Sequence, residues 1–259
     1  MVLFFICLCA NVFGQKKWVD VTCKYISNPN FSKISYDEWE VDGNASSITI
    51  RVGCMEMWNG RIDMQKIIKD MPNGHYRFSI QALYRTKNHK DAYKEYKEGK
   101  EVINGFIFAN DNEKKVASQY SFGFTEDPGV PCFHADGLYF PNSMEAASKA
   151  FSQGEYNNNI EFDVTDGTAI IGLYNPETVN DNWFVFDNVK IEQQIEAADI
   201  TQGSVVINEI MTANVDMFMS PAYNFDGWIE LYNTTSTDLW LGGCYISNDL
   251  SNPKKWLLP

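Results

Sequence analysis

Apolar and polar residues alternate with a period of two through much of this chain. The longest run is residues 75–84, where Tyr76, Phe78, Ile80, Ala82 and Tyr84 fall on one face and Arg77, Ser79 and Gln81 on the other. Successive side chains of a strand point to opposite sides of the pleat, so this segment predicts a strand with one buried face. Met71-Pro72-Asn73-Gly74 before it is turn chemistry, since Pro pre-sets φ and Asn-Gly tolerates positive φ. Residues 47–52 repeat the pattern over a shorter stretch, and residues 105–110 read as a strand entering an Asp111-Asn112 turn. Residues 159–164 and 168–174 flank Thr165-Asp166-Gly167, which predicts a hairpin, and residues 183–191 close the set. Turn residues recur every eight to twelve or so positions, the rhythm of a β-sandwich or barrel.

One segment breaks the alternation. Residues 144–151 are Ala-rich, with Asn142 or Ser143 placed to cap and Gly154 where a helix commonly stops. Met144, Ala147 and Phe151 share a face, so this helix is expected to plug an end of the sandwich. Residues 87–100, dense in Lys, Glu and Tyr, read as a solvated loop or short helix. After Ile191 the composition turns polar. Residues 192–203 read as a linker, and a new β-pattern begins at Ser204-Val205-Val206-Ile207-Asn208-Glu209-Ile210.

The N-terminus has a different character. Val2 to Ala10 form an uncharged apolar run too short to span a bilayer, which takes about 20 residues. Val12 and Gly14 fit a signal-peptidase site, so residues 1–14 read as a signal peptide and the mature chain as secreted or surface-displayed. The competing reading is a buried N-terminal strand. No later segment reaches transmembrane length, so no membrane insertion is expected after cleavage.

The net charge of −13 lies wholly outside residues 1–14 and argues against nucleic acid as a partner, because phosphate binding needs a basic surface. Cys23, Cys54, Cys132 and Cys244 remain beyond the leader, none at CxxC or zinc-ligand spacing. In an exported chain they could pair in three ways, or stand as buried thiols. Asn44-Ala45-Ser46 and Asn233-Thr234-Thr235 match the glycosylation acceptor pattern but read as turn-prone polar residues.

Two resemblances emerge. Residues 18–191 resemble a galactose-binding-like jelly-roll module of secreted Bacteroidetes proteins. The residues that carry the likeness are Ile26-Ser27-Asn28-Pro29-Asn30-Phe31, Trp39, Met55-Glu56-Met57-Trp58-Asn59, Met71-Pro72-Asn73-Gly74, Tyr139-Phe140-Pro141-Asn142 and Asn182-Trp183-Phe184-Val185-Phe186-Asp187-Asn188. Residues 204–259 resemble the opening half of a lamin-tail-type, immunoglobulin-like domain through Val206-Ile207-Asn208-Glu209-Ile210, Asp226-Gly227-Trp228-Ile229-Glu230-Leu231 and Lys255-Trp256-Leu257-Leu258-Pro259. The fold class implied is all-β: a jelly-roll β-sandwich (15–191) with one short helix, a linker (192–203), and a partial immunoglobulin-like β-domain (204–259). The first resemblance also implies a structural calcium ion between the first segment and the last strand, with Asp187 and Asn28 in the matching places. In related architectures the second domain often precedes a CotH-like kinase region.

Catalysis finds little support in the residues. His75, His89 and His134 are the three histidines. A Cys132-His134 nucleophile–base pair would lack an orienting third group. Sugar binding is the sharper expectation. A pyranose has an apolar C–H face and a rim of hydroxyls, which suits an exposed aromatic ring beside amide, carboxylate or Arg groups. Trp58 with Glu56 and Asn59 has that composition, as do Trp183 with Asp181 and Asn182 and Tyr84 with Arg85; Tyr139 and Asn142 are weaker candidates. The same aromatics also read as core or rim packing, as Trp39 and Phe186 do. The expected function is thus a non-catalytic carbohydrate-binding or adhesion protein whose partner is a glycan or glycosylated surface. The alternatives are the accessory N-terminal part of a longer secreted kinase or hydrolase, and a purely structural surface protein.

Overall fold

The computed structural model describes residues 5–7, 16–43, 47–196, 203–216, 225–237, 239, 241 and 244–258. Val12 and Gly14 of the expected cleavage site, the Asn44 acceptor pattern and residues 197–202 of the expected linker lie outside them. In chain order the strands begin with β1 (Phe5–Cys7), β2 (Lys16–Asp20), β3 (Glu40–Gly43), β4 (Ile48–Arg51), β5 (Cys54–Trp58), β6 (Ile62–Ile68) and β7 (Gly74–Arg85). They continue through β8 (Phe106–Ala109), β9 (Asn112–Lys115), β10 (Ala117–Ser118), β11 (Cys132–Ala135), β12 (Leu138–Pro141), β13 (Asn157–Val164), β14 (Ala169–Asn175) and β15 (Trp183–Glu196). The last are β16 (Val205–Met211), β17 (Trp228–Asn233), β18 (Tyr245–Ser247) and β19 (Trp256–Leu257). The helices are α1 (Thr22–Tyr25), α2 (His89–Lys97) and α3 (Met144–Ser152).

Residues 18–194 form one compact unit and residues 1–17 with 195–259 another. The first is a β-sandwich. One sheet runs β10-β7-β15-β5-β4, with β13 also pairing β7 and β2 also pairing β15; the other runs β3-β6-β14-β8-β9. Alternation explains their meeting. Tyr76, Phe78, Ile80, Ala82 and Tyr84 of β7, Met55 and Met57 of β5, and Phe184 and Phe186 of β15 turn inward against Met64, Ile107, Ile171 and Leu173 of the second sheet. Each large side chain so buried contributes about 1.5–3 kcal/mol, which is what holds the two sheets together.

The outer face of the first sheet is covered as well, which alternation alone does not show. Residues 80–85 are buried on both faces. Helix α3 lies on this outer face rather than at an end of the sandwich, packing Met144, Ala147 and Phe151 against Cys54, Leu83, Trp183 and Val185. Its start is fixed by Ser143, whose Oγ accepts the Ala146 N–H at 3.2 Å, a cap worth about 1 kcal/mol. Gly154 follows its end with φ +84°, a conformation that costs a glycine little. Residues 89–97 form the second helix, capped by Asn88 Oδ1 on the Lys90 and Asp91 N–H groups. Its Ala92 and Tyr93 join Tyr120, Phe133 and Phe140 in a satellite cluster with the β11–β12 hairpin.

In the second unit β16 pairs β17, and β18 pairs β19 on one side and β1 on the other. Phe5↔Ser247, Ile6↔Ile246 and Cys7↔Tyr245 are in register, so the backbone of residues 5–7 is used as a strand. These three residues lie within the span expected as a leader. No helix among the described residues is long and apolar enough to cross a membrane.

Candidate functional site

Three strands bring three of the expected site residues into one line. Trp183 of β15 lies opposite Trp58 of β5 on one side and Arg85 of β7 on the other. Neighbouring strands stand about 4.8 Å apart, so the two indoles and the guanidinium share the outer face as a row. Arg85 Cζ sits 5.2 Å from the Trp58 ring centroid and 5.3 Å from that of Trp183, within reach of a cation–π interaction with each.

The guanidinium is 1% exposed and is held by neutral groups. Nη1 donates to Asn142 Oδ1 at 2.6 Å and to Gln119 Oε1 at 3.2 Å, and Nη2 to the Asp181 carbonyl at 3.4 Å. Nε has no hydrogen-bond partner among the described residues. Burial pulls the Arg85 pKa below its ordinary value, and the charge of Asp181 works against that pull. A buried cation without an ion pair is costly, and the two aromatic faces are what compensate it here.

Trp58 is the exposed member of the row, at 40%. Trp183, read as a second stacking platform, is only 2% exposed: α3 covers it, and its indole N–H donates to Glu56 Oε2 at 2.7 Å. It supports the site instead of touching a ligand. Tyr84 is corrected in the same way. Its ring is fully buried edge-on to Phe184 at 5.5 Å, because position 84 points to the core and position 85 away from it. Asn182 is also fully buried. Its Oδ1 accepts the Gly60 N–H and its Nδ2 donates to the Gly60 carbonyl, so it pins the β5–β6 turn to the start of β15. Asn59 and Asp181 both adopt positive φ, and the Asn59 side chain accepts the Asp181 N–H, which closes the rim beside Trp58. Asn142 was a weaker candidate by sequence and Gln119 no candidate at all. Both are separated from Arg85 by a long stretch of chain, and no local pattern marks them.

Asp187 and Asn28, the pair expected at a calcium ion, each have hydrogen-bond partners of their own. Asn28 is engaged in its own loop: Oδ1 accepts the Lys33 N–H and Nδ2 donates to the Ser35 carbonyl. That loop sets Phe31 against Phe186 in the core, and alternation turns Asp187 to the opposite face of the strand. There its charge acts on the Cys54 thiol, which burial, above all, pushes up to about 12. Asp187 Oδ1 accepts the Asn188 N–H at 2.7 Å, and burial pushes its carboxyl up to about 7. Among the described residues no group of three or more His, Cys, Asp or Glu side chains is placed to hold a metal.

The remaining titratable candidates are spent separately. Cys132 has its thiol pushed up to about 11 by burial, against thiolate formation, while His134 stacks on Tyr139 at 4.4 Å. His75 is held at the surface by Asp163 Oδ1 at 2.8 Å and Glu161 Oε2 at 3.2 Å. Cys23, Cys54 and Cys132 stand as thiols.

No protein-family model matches the chain, and no curated protein matches it. Among solved structures it is similar to TmCBM61 in complex with β-1,4-galactotriose, at 13% identity and a TM-score of 0.36, over 65% of this chain and 97% of that one.

Proposed function

We propose that this chain is a non-catalytic carbohydrate-binding or adhesion protein, secreted or displayed at a cell surface, with Trp58 as its stacking platform. The observation that carries the reading is the exposed Trp58 indole backed by the buried Arg85 guanidinium. The guanidinium orients one face of the ring, and the Asn59 and Asp181 turn supplies polar groups beside it. A pyranose laid on the ring would bury its C–H face and meet hydrogen-bonding groups at its rim. The apolar run from Val2 to Ala10 supports export. Affinity at one such shallow site is weak, because little surface is buried.

A glycan array probed with the full chain and with Trp58→Ala tests the reading. Loss of at least tenfold in binding by the variant, with an unchanged thermal melt, is expected. Equal binding by both proteins, or no glycan bound by either, would refute it. N-terminal sequencing of the exported protein, expected to begin at Gln15, tests the leader.

A further inference from the structure

The opposite side of the sandwich carries a second arrangement, which uses none of the residues around Trp58. Register sets two rows across the outer face of the β3-β6-β14-β8-β9 sheet. One runs Glu40, Gln65, Gly172, Phe108 and Glu113; the next runs Asp42, Asp63, Tyr174, Phe106 and Lys115.

Gly172 determines the character of the first row. A Cβ there would meet Phe108 Cζ at 2.6 Å and the Met64 carbonyl oxygen at 2.2 Å. The missing side chain lets the Phe108 ring lie down on the strand, so its other face turns to solvent. Tyr174 stands beside it at 6.0 Å and 60°, and stacks on Phe106 at 4.9 Å and 12°. The Tyr174 hydroxyl donates to Glu113 Oε2 at 2.6 Å, and Gln65 Nε2 donates to Glu40 Oε2 at 3.0 Å. A ring face is thereby flanked on both sides by carboxylates and an amide held in place. Phe108, Tyr174, Glu113 and Gln65 line a depression of about 280 Å³ with Asp63 and Asn110.

We infer that this sheet face is a second carbohydrate-binding surface, which takes a neutral oligosaccharide laid across the strands with one pyranose over Phe108. The ring supplies the stacking surface, while the amide and carboxylates accept and donate to hydroxyls. The charge pattern selects the class of ligand: Glu40, Asp63, Asp111 and Glu113 repel an anionic polymer, and the cations that oppose them are Lys115 in the rows and Arg61, which is paired with Asp42 at 2.8 Å. Five strands at about 4.8 Å spacing span about 19 Å, room for several sugar units instead of one.

The test is electrophoresis of the full chain through gels containing β-1,4-galactan, xylan, mannan or mixed-linkage β-glucan, with polygalacturonate and heparin as anionic counterparts. Wild type, Trp58→Ala, and Trp58→Ala combined with Phe108→Ala or with Gln65→Ala are compared. At least one neutral polysaccharide should still retard Trp58→Ala. Adding Phe108→Ala should abolish that retardation, and adding Gln65→Ala, an exposed-face change that leaves the core intact, should weaken it about tenfold. A failure of the Trp58 reading alone would appear as Trp58→Ala retarded like wild type, with Phe108→Ala still decisive. The inference is overturned if Trp58→Ala alone removes all binding or if residual binding survives both second substitutions. It is also overturned if Trp58→Ala is retarded only by the anionic polymers, or if no polysaccharide retards the wild type.

Discussion

Replacing Asp187 with Asn should make the sandwich more stable at pH 8 and leave it nearly unchanged at pH 4. Asp187 is 7% exposed, and its one hydrogen bond in the described structure is from the neighbouring Asn188 N–H. No cation lies within ion-pair distance among the described residues, so burial dominates and pushes the carboxyl from 3.8 up to about 7. The folded protein therefore holds this proton more tightly than the unfolded chain does. The stability that proton confers is complete below about pH 4 and is lost as pH rises towards 7. At about 1.4 kcal/mol per unit the loss has a ceiling near 4 kcal/mol, and relaxation with some water access reduces it to about 2–4 kcal/mol. Asn keeps the acceptor for Asn188 and does not titrate, so the difference between the proteins isolates the one group from the other carboxylates. The assay is urea unfolding of both proteins at pH 4, 5, 6, 7 and 8 in chelator. A difference that stays flat with pH refutes the buried-carboxylate argument. If calcium added at pH 8 stabilises the wild type but not the variant, Asp187 is a calcium ligand, as the jelly-roll resemblance implies.

Other residues give sharper structural tests. Gly172→Ala should cost about 1–3 kcal/mol, because the new Cβ must displace the Met64 carbonyl and the Phe108 ring; an unchanged urea midpoint would mean the ring does not lie against the strand. Arg85→Met should cost about 1–3 kcal/mol by leaving Asn142, Gln119 and the Asp181 carbonyl without their donor, and Arg85→Lys should recover only part, since an ammonium cannot span the fork. Wild-type stability in Arg85→Met would remove the guanidinium as the anchor of the Trp58 row. His75 should titrate above 6.5 by NMR, because the Asp163 hydrogen bond and then that of Glu161 favour its charged form. Its ion pairs stabilise the fold below about pH 6.5 and fade as pH rises through the folded value, and Asp163→Asn should bring the titration back down.

The sequence disclosed the sandwich because its signal is local. Alternation in β7 named every inward residue from Tyr76 to Tyr84, and the Ser143 cap and Gly154 stop bounded α3 to within a residue. What stayed hidden is non-local. Period two says that Leu83 and Arg85 leave the core, but not that α3 and the β11–β12 hairpin fold over them. Trp183 can therefore be read as a stacking platform as well as core, although α3 buries it; Tyr84 reads as a candidate beside Arg85 even though alternation already turns it inward. The same limit hid the Phe108 surface. Phe106 and Phe108 alternate as a buried face would, and so do Ile107 and Ala109; the pattern of β8 alone does not say which pair faces in. Register against β14 settles it, since Gly172 lies opposite Phe108 and is the position where a ring can lie flat. A glycine in the middle of a central strand is costly for the strand itself, so its presence is a signal that something approaches the backbone closely. Gly172 between Ile171 and Leu173 was legible in the chain as an interruption of an apolar strand. The partner that fills the gap became identifiable only when the register placed one opposite it.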